Sequence, residues 1–495
     1  MIGADATMAR VTDRPIVPPI APRASLGADA GLTAAELVAI TGGTVLARSD
    51  RPIRGGAVDS RLVEPGNLFV ALPGERTDGH RFVGAALAAG AAAALVTRPS
   101  EPADLAGRDA TIVLVDDPLR ALQAVASAWR ARFDPLVVGI TGSIAKTSTK
   151  EAVAAVLGAA MPTLRNEGNL NNEIGLPLTI LRLRSEHRAA VLEMGMYVGG
   201  EIADLARIGR PEIGVVTAVQ AVHLSRIGTI EAVERAKGEL IEALPADGVA
   251  VLNADDERVR RMASRTQAQV TTYGFAADAD VRAIQIRSLG VEGMRFDLRT
   301  HAGRRKVDIP TLGHLSVHNA LAASAVGLAA GLALDTIVAA LAGGWSAPHR
   351  AELVRAGGVT IVDDSYNASP GSVLAALQLL AGLPGRKIAV LGEMLELGAD
   401  HDDGHRRVGE AATGIVDRLI VVGAGADAIA AGFGLGSAAV DLLVDRDAAR
   451  DRLLEILRPG DVVLVKASRG IALDVLVDEL VAALGPAEPA RERAR

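Results

Sequence analysis

Short apolar runs alternate with segments of helical periodicity along most of this chain. The β-branched run 137–140 predicts a buried parallel strand, and the alanine-rich stretch 151–160 after it predicts a helix. Further apolar runs predict strands at 67–72, 189–195, 213–219, 249–254, 360–364, 387–392, 418–422 and 462–465. Strands that alternate with helices in this way are typical of an α/β fold built on doubly wound parallel sheets.

The length and the changes of pattern divide the chain into units. At about 100–200 residues per domain, 495 residues indicate three domains. We expect a small α/β domain at 28–133, a central domain at 134–345 and a third domain at 346–485. The proline-rich residues 1–27 are expected to form a disordered arm, and the charged residues 486–495 a disordered tail.

Charge and composition exclude several classes of protein. The formal net charge is −7, and no basic block precedes the last few residues, so we expect no nucleic-acid partner. The chain has no cysteine, which excludes disulfides, thiolate metal sites and a cysteine nucleophile. The first residues lack the apolar core of a signal peptide, and the run 85–96 is too short to span a bilayer. We therefore expect a cytoplasmic enzyme without a membrane anchor, acting as a monomer.

The stretch 136–150, LVVGITGSIAKTSTK, has the order of a phosphate-binding motif: strand, loop, helix. In that reading Lys146 reaches the terminal phosphates of a nucleotide and the Thr147 hydroxyl binds magnesium. An ordinary βα turn is the alternative. Ala145 and Ile140 stand where such loops normally have glycine, and a methyl group at 145 is tolerated if φ is negative but not if it is positive.

Polar residues come directly after the predicted central strands. Glu193, His223 and Asp255 each lie at or just beyond the carboxyl end of an apolar run, which is where ligands bind in parallel sheets. A carboxylate that closes a buried strand is costly unless it is paired or bound to a metal. A lone loop histidine is often structural, but this position favours a functional role.

Lys237 lies on the wrong side of its helix for a surface lysine. In IEAVERAKGELIEAL it shares the apolar stripe of Val233 and Leu240. Two interpretations follow: a lysine that extends along apolar surface to reach water, or a lysine turned into the site for a chemical task.

Three further groups of polar residues allow two readings each. His318 and Asn319 begin an alanine-rich helix, where an amide can read a base edge or bond its own backbone. The clusters DDSYNASP, LGEMLELG and VKASRG follow strands of the third domain and indicate a binding edge. The residues around Asp59 and around Asp78 are better explained as polar turns than as a site.

Together these stretches resemble the Mur ligases of peptidoglycan synthesis, from about residue 50 to residue 475. The motifs that carry the general resemblance are ITGSIAKTSTKE, LEMG, the histidine in AVHL, RAKGE, LNADD, HNALAA, Arg350 and VKASRG. NLNNEIGLP, DDSYNASP and VLGEMLELG point to the branch that adds D-alanyl-D-alanine, and DSR, PGNLFVAL and DGHRF to the uridine-nucleotide domain of that branch. No DNPR, typical of the diaminopimelate-adding branch, occurs in the chain.

The resemblance implies a three-domain architecture: a small uridine-nucleotide domain, a central phosphate-loop ATPase domain and a Rossmann-like third domain. It implies that ATP phosphorylates the terminal carboxylate of a UDP-N-acetylmuramoyl-tripeptide, and that the amine of D-alanyl-D-alanine attacks the acyl phosphate. The cofactors would be ATP and two Mg²⁺ ions, one of them held by a carbamylated Lys237.

The resemblance also implies roles for individual residues. Lys146, Lys237 and His223 would be catalytic, and the metal ligands would be Thr147, Glu193, His223 and Lys237. The nucleotide contacts would be Thr141, Gly142, Ser143, Ile144, Ala145, Lys146, Thr147 and Ser148, with Asn319 at adenine and with Arg350 and Asp364 from the third domain. The remaining substrate contacts would be Ser60, Arg61, Asn169, Asn171, Asn172, Tyr366 and Asn367.

Several departures from the family pattern keep two alternatives open. Ala145 replaces a glycine, Ala322 stands where a second asparagine is frequent, and Ala467 replaces a glycine. A non-catalytic nucleotide-binding relative is one alternative, although such a module needs no Glu193, His223 and Lys237. Another Mur-type ligase with a different amine substrate is the second.

Overall fold

The computed structural model describes residues 30–74, 77–99, 108–220, 224–434 and 439–485. The expected arm at 1–27, the expected tail at 486–495 and His223 lie outside these residues. The described chain forms three separate sheets with helices around them, so the predicted α/β fold is confirmed. The domain boundaries inferred from the sequence stay predictions.

The first sheet has five strands in the order β1-β5-β4-β3-β2, and only β1 runs antiparallel to its neighbour. Its strands are β1 (Thr44–Ala47), β2 (Gly56–Ala57), β3 (Leu68–Val70), β4 (Ala93–Val96) and β5 (Thr111–Leu114). The accompanying α-helices are Ala34–Thr41, Val83–Ala88 and Pro118–Arg130. The last helix begins where Asp117 caps it and proline occupies the first turn, as its sequence favours.

The central sheet has nine strands in the order β14-β13-β12-β11-β10-β9-β6-β8-β7. They are β6 (Leu136–Thr141), β7 (Thr163–Arg165), β8 (Ala189–Glu193), β9 (Ile213–Val216), β10 (Val249–Asn253), β11 (Gln269–Gly274), β12 (Val281–Ser288), β13 (Met294–Thr300) and β14 (Gly303–Ile309). Strands β6 to β12 pair in parallel, and β13 and β14 extend the sheet antiparallel.

Helices cover both faces of this central sheet. They are Lys146–Gly158, Gly175–Ile180, Glu201–Gly209, Leu224–Ile227, Ile230–Glu242, Glu257–Arg261, Gly313–Ala329 and Leu334–Ala342. One face shares a continuous apolar core with the first domain, and the other packs against the helix Gly313–Ala329. All six residues of β6 are buried, which explains its unbroken apolar sequence.

The third sheet has the order β15-β16-β20-β17-β18-β19, and only β15 is antiparallel. Its strands are β15 (Glu352–Ala356), β16 (Val359–Asp363), β17 (Lys387–Gly392), β18 (Arg418–Val422), β19 (Val440–Leu443) and β20 (Val462–Lys466). Its α-helices are Pro370–Ala381, His401–Ala412, Asp427–Gly434, Arg446–Ile456 and Leu473–Leu484. Apolar cores lie on both faces of the sheet, as a doubly wound unit requires.

Candidate active site

The loop between β6 and the helix Lys146–Gly158 is held in shape by its neighbour in the sheet. The Thr217 hydroxyl, just after β9, donates to the Ile144 carbonyl at 2.6 Å, and the Ser143 amide donates to the Ala218 carbonyl at 2.8 Å. Gly142 has φ of 151°, and a Cβ atom there would collide with the Thr217 hydroxyl. Contacts within the protein therefore hold the loop in its conformation.

Ala145 is the residue immediately before this helix and adopts a left-handed backbone conformation. Its φ is 63° and its ψ is 6°, a region that a residue with a Cβ atom occupies only at a cost. The sequence left the sign of this angle open. The structure shows that the motif keeps the backbone shape of a glycine loop even though it carries alanine.

The eight residues predicted for the phosphate loop divide into two groups. Those from Ser143 to Ser148 line a cavity of about 990 Å³. Thr141 is fully buried and donates its hydroxyl to the Met194 carbonyl at 2.8 Å, so it fastens β6 to the end of β8. Gly142 supplies the turn between the strand and the lining residues.

Two lysines lie in the interior beside this loop. Burial lowers the pKa of Lys146, and the charge of Arg350 lowers it further, while that of Glu193 opposes the shift. Lys237 is 2% exposed, and burial lowers its pKa well below the ordinary value, with the Lys146 charge acting in the same direction. The inward position predicted for Lys237 is therefore present, and its amine is set up to lose its proton.

Glu193 ends β8 with an oriented carboxylate. The Asn171 side-chain amide donates to Glu193 Oε1 at 2.8 Å. The Asn166 side chain accepts the backbone N–H of Glu193 at 3.0 Å and donates to the Glu193 carbonyl at 3.1 Å. The residue is 1% exposed, and its Oε2 atom has no hydrogen-bond partner among the described residues. A buried, partnerless carboxylate oxygen calls for a cation.

This arrangement fits a magnesium ion. Thr147 lines the cavity, and a hydroxyl and a carboxylate are the oxygen donors that Mg²⁺ prefers. The described residues contain no cluster of three His, Asp or Glu side chains that could hold a metal unaided. Such a site would therefore be completed by ligand phosphates, by water, by His223 or by a modified Lys237.

Asn319 and Asp255 have partners that the sequence did not indicate. The Thr149 hydroxyl donates to Asn319 Oδ1 at 2.9 Å, which joins the helix Gly313–Ala329 to the phosphate-loop helix while Asn319 also lines the cavity. The Asp255 carboxylate accepts the amides of Phe275 and Ala276, both at 2.7 Å. Asp255 is exposed, so its carboxylate is bound by backbone amides and needs no metal to offset burial.

The third domain closes the cavity with several charged residues. Arg350 and Asp364 line it, as does Asn367. The Arg350 guanidinium carbon lies 4.3 Å from the centre of the Tyr366 ring, a cation–π contact. The cavity is thus built from the carboxyl ends of two different sheets, as the polar clusters at the strand ends predicted.

Lys466 was not identified from the sequence, although the sequence contains a signal for it. Lys466 ends β20 with 2% exposure, and its Nζ atom lies 2.7 Å from Asp364 Oδ2 and 2.8 Å from the Asn367 carbonyl. A charged residue that closes the apolar run VVLV is the pattern that marked Glu193. Lys466 fixes the position of Asp364.

Other predicted substrate residues lie apart from this cavity. Arg61 is 85% exposed and pairs with Asp59 at 2.6 Å, in a turn capped by that aspartate, as the turn reading predicts. Ser60 is half-buried in the same turn, and Asn169 is exposed. Asn172 accepts the Gly175 amide at 2.9 Å and so shapes the start of a helix.

Comparison with known proteins agrees with this architecture. Three family models match in succession: the Mur ligase family catalytic domain at residues 52–130, the Mur ligase middle domain at 140–327 and the Mur ligase glutamate ligase domain at 349–469. The chain belongs to the Mur ligase family, and the predicted family and three-domain fold are confirmed.

Three of the proteins that this chain resembles illustrate its place within the family. The UDP-N-acetylmuramoyl-tripeptide–D-alanyl-D-alanine ligase of Mycobacterium tuberculosis strain H37Rv is 38% identical, over 91% of this chain and 98% of the relative. The crystal structure of MurF from Acinetobacter baumannii aligns with a TM-score of 0.82 at 31% identity, covering 91% and 98%. MurF ligase from Thermotoga maritima, in complex with ADP, gives a TM-score of 0.77 at 30% identity, covering 87% and 98%.

Among the helices of the described ranges, none combines the length and the apolar character that crossing a membrane requires.

Proposed function

We propose that this protein is an ADP-forming ligase that uses ATP to join D-alanyl-D-alanine to a UDP-N-acetylmuramoyl-tripeptide in cytoplasmic peptidoglycan precursor synthesis. The observation that carries the proposal is the cavity of about 990 Å³ in which the phosphate loop faces Arg350 and Asp364 of the third domain. A nucleotide in that cavity would have its phosphates at the loop and its base beside Asn319.

The charges around the phosphate loop suit phosphoryl transfer. In the proposed reaction the peptide carboxylate attacks the γ-phosphorus of ATP, ADP leaves, and an acyl phosphate forms. Lys146 and Arg350 place two positive charges where negative charge accumulates on the transferred group. Because burial and Arg350 lower the Lys146 pKa, bound phosphate would restore its full charge by supplying counter-charge.

The second step needs a nucleophilic amine and a dry site. The amine of D-alanyl-D-alanine attacks the acyl carbon, and phosphate leaves as the amide bond forms. Tyr366, Arg350 and Asn367 come from the third domain, so they reach the reacting groups only when that domain is closed on the central one. Closure also excludes water, which would otherwise hydrolyse the acyl phosphate.

Magnesium would be held by Thr147, by the free Oε2 atom of Glu193 and by Lys237 after carbamylation, with His223 as a further ligand. The ions would neutralise phosphate charge and orient the transferred group. An uncharged lysine amine can capture carbon dioxide, and the resulting carbamate presents oxygen atoms to a cation. The lowered pKa of the buried Lys237 favours the uncharged amine that this modification requires.

The test is ligation by the purified protein. Phosphate release and product mass would be measured with ATP, Mg²⁺ and UDP-N-acetylmuramoyl-tripeptides that differ in their third residue, with and without D-alanyl-D-alanine. We expect a ligated pentapeptide, and phosphate release that depends on both substrates. Lys146→Ala should abolish ligation and keep the fold.

The outcomes separate the alternatives. Wild-type turnover in Lys146→Ala would refute the phosphate-loop assignment. ATP binding without turnover would identify a non-catalytic relative. Turnover with another amine but not with D-alanyl-D-alanine would identify a ligase of different specificity.

A further inference from the structure

Two arginines of the third domain that line the cavity both contact the ring of one tyrosine, Tyr366. The guanidinium carbons of Arg350 and Arg469 lie 4.3 and 5.4 Å from the centre of the Tyr366 ring. Arg469 lies in the short segment after β20, and both arginines line the cavity. Planar contact with an aromatic ring holds a guanidinium while leaving its N–H groups at the edge available.

The two arginines differ in what surrounds them. Arg350 is close enough to Lys146 of the phosphate loop to lower the pKa of that lysine, and its side chain is half-buried. Arg469 has a 58% exposed side chain and an ion pair with Asp474 at 2.5 Å. Its side chain is therefore largely exposed where it lines the cavity, and it contacts one carboxylate of the protein.

Tyr366 is partly buried among charged groups of the central and third domains. Burial raises the pKa of its phenol; the charge of Arg350 lowers that pKa, that of Glu193 raises it and that of Arg469 lowers it. The phenol is therefore within electrostatic range of the Glu193 carboxylate as well as of both arginines.

Lys466 is unsuited to bind an added anion. The cations of the third domain among the described residues that line the cavity are Arg350, Lys466 and Arg469. Lys466 is buried and bonded to Asp364 and to the Asn367 carbonyl. Arg469 is the one with an exposed guanidinium, and a guanidinium binds a carboxylate through two parallel hydrogen bonds.

We propose that Arg469 binds the carboxylate of the incoming dipeptide, and that Tyr366 separates this carboxylate site from the phosphate site at Arg350. The proposal rests on the proposed function, since it assigns one end of the amine substrate of that reaction. With its carboxylate at Arg469, the dipeptide would lie along Tyr366 and direct its amine toward the side of Glu193. Arg469 is then a determinant of substrate specificity.

The experiment compares two substrates that differ only in this charge, D-alanyl-D-alanine and D-alanyl-D-alaninamide. For the wild-type protein we expect kcat/KM to be about tenfold or more lower with the amide, because the amide cannot accept a bidentate, charge-assisted pair. Arg469→Met should raise KM for D-alanyl-D-alanine by about the same factor and remove the discrimination. KM for ATP should not change. Arg469→Lys should recover part of the discrimination, because the lysine ammonium keeps the positive charge but lacks the planar pair of donors of a guanidinium.

Arg418→Met is the matched control, because Arg418 also pairs with an aspartate of the third domain, at 2.6 Å from Asp441, and does not line the cavity. It should keep wild-type discrimination. Turnover of the amide by Arg469→Met reports whether that variant is folded. Undiminished discrimination in folded Arg469→Met, or a rise in KM for ATP instead, would overturn the proposal. Absence of any ligation by the wild-type protein would instead refute the proposed function.

Discussion

The backbone of Ala145 combines a glycine-like conformation with an alanine side chain. Its φ of 63° places the methyl group where L-residues lose roughly 1–2 kcal/mol. The surrounding hydrogen bonds from Thr217 and to Ala218 impose this conformation. The strain therefore comes from the protein's own contacts.

We expect Ala145→Gly to raise the free energy of unfolding by about 1 kcal/mol, because glycine adopts this φ freely. ATP affinity should change by less than about tenfold, or ~1.4 kcal/mol, since hydrogen bonds within the protein hold the loop in this shape. Urea unfolding and nucleotide titration measure the two quantities. Ala159→Gly at the other end of the same helix, where φ is −68°, is the control and should lower stability by about 0.5–1 kcal/mol. Equal destabilisation by both substitutions would contradict the argument.

Lys237 has a chemical prediction of its own. Lys237→Ala should lose ligation by removing the proposed carbamate, yet keep binding of the uridine nucleotide, whose domain is built on another sheet. A carbon-13 carbamate signal should appear when wild-type protein is given labelled bicarbonate, and should be missing from Lys237→Ala. An unmodified Lys237 side chain in an active, fully liganded complex would contradict this assignment.

Some residue-level features could be predicted from sequence and others could not. The inward position of Lys237 and the buried carboxylate of Glu193 follow from apolar periodicity and from strand ends. The bond from Asn171 to Glu193 and the bond from Thr149 to Asn319 join segments 22 and 170 residues apart. No local pattern encodes such partners, because they depend on how the elements pack.

At the scale of elements, strands that are apolar throughout were predicted closely. β17 and β18 have the predicted bounds, while β8 and β9 stop two and three residues early. In both cases the residues after the strand take part in the site. The Met194 carbonyl accepts a hydrogen bond from the Thr141 hydroxyl, and the Thr217 hydroxyl donates to the Ile144 carbonyl of the phosphate loop. The amphipathic, partly exposed strands β12 to β14 gave a weaker pattern, since one side of them faces solvent.

One buried histidine fastens the loop that follows β17. The Met394 amide donates to His405 Nε2 at 2.8 Å, and His405 Nδ1–H donates to the His401 carbonyl at 2.7 Å. The next residues, Leu395 to Leu397, line the cavity. Neutral His405 therefore holds part of the cavity wall in place.

The stability of the protein should fall as pH drops below about 6.5, in part because of His405. Burial lowers the pKa of His405 below its ordinary value of 6.5; the hydrogen bond to the His401 carbonyl opposes this shift, the charge of His401 adds to it, and Glu393 and Asp402 oppose it. The unfolded chain then takes up the proton first, so this contribution is complete above pH 6.5 and is lost progressively below it. Urea unfolding at pH 7.5, 6.5 and 5.5 should give a shallower decline in His405→Gln, whose amide oxygen can accept the Met394 amide without titrating. An unchanged slope would assign the pH dependence to other groups.

At the scale of the whole molecule, the third domain has hydrophobic cores of its own. Its two apolar clusters consist of residues from 353 onward, apart from Val291 at the edge of one of them. The other domains are linked to each other by a shared core that runs from Leu32 to Ala268. The chain thus consists of one two-domain body and one separately cored domain that share the cavity.

Removing residues 346–495 should leave a folded fragment that binds the uridine nucleotide and does not ligate. The fragment keeps both cores of the central sheet but loses Arg350, Asp364 and the rest of the third-domain wall. Circular dichroism would report folding, and titration with UDP-N-acetylmuramoyl-tripeptide would report binding. Ligation by the fragment would disprove the division of labour between the domains.

The cavity walls come from two bodies with separate cores. A nucleotide bound in the cavity would therefore help to hold the two bodies together. A ligand at 100 times its dissociation constant contributes about 2.7 kcal/mol to the state that binds it. Here that state is the joined one, because the residues that line the cavity come from both bodies. The concentration of ATP would then determine how stable the association of the third domain with the rest of the protein is. Calorimetry should record separate melting steps without nucleotide, and these steps should merge into one as nucleotide saturates the site.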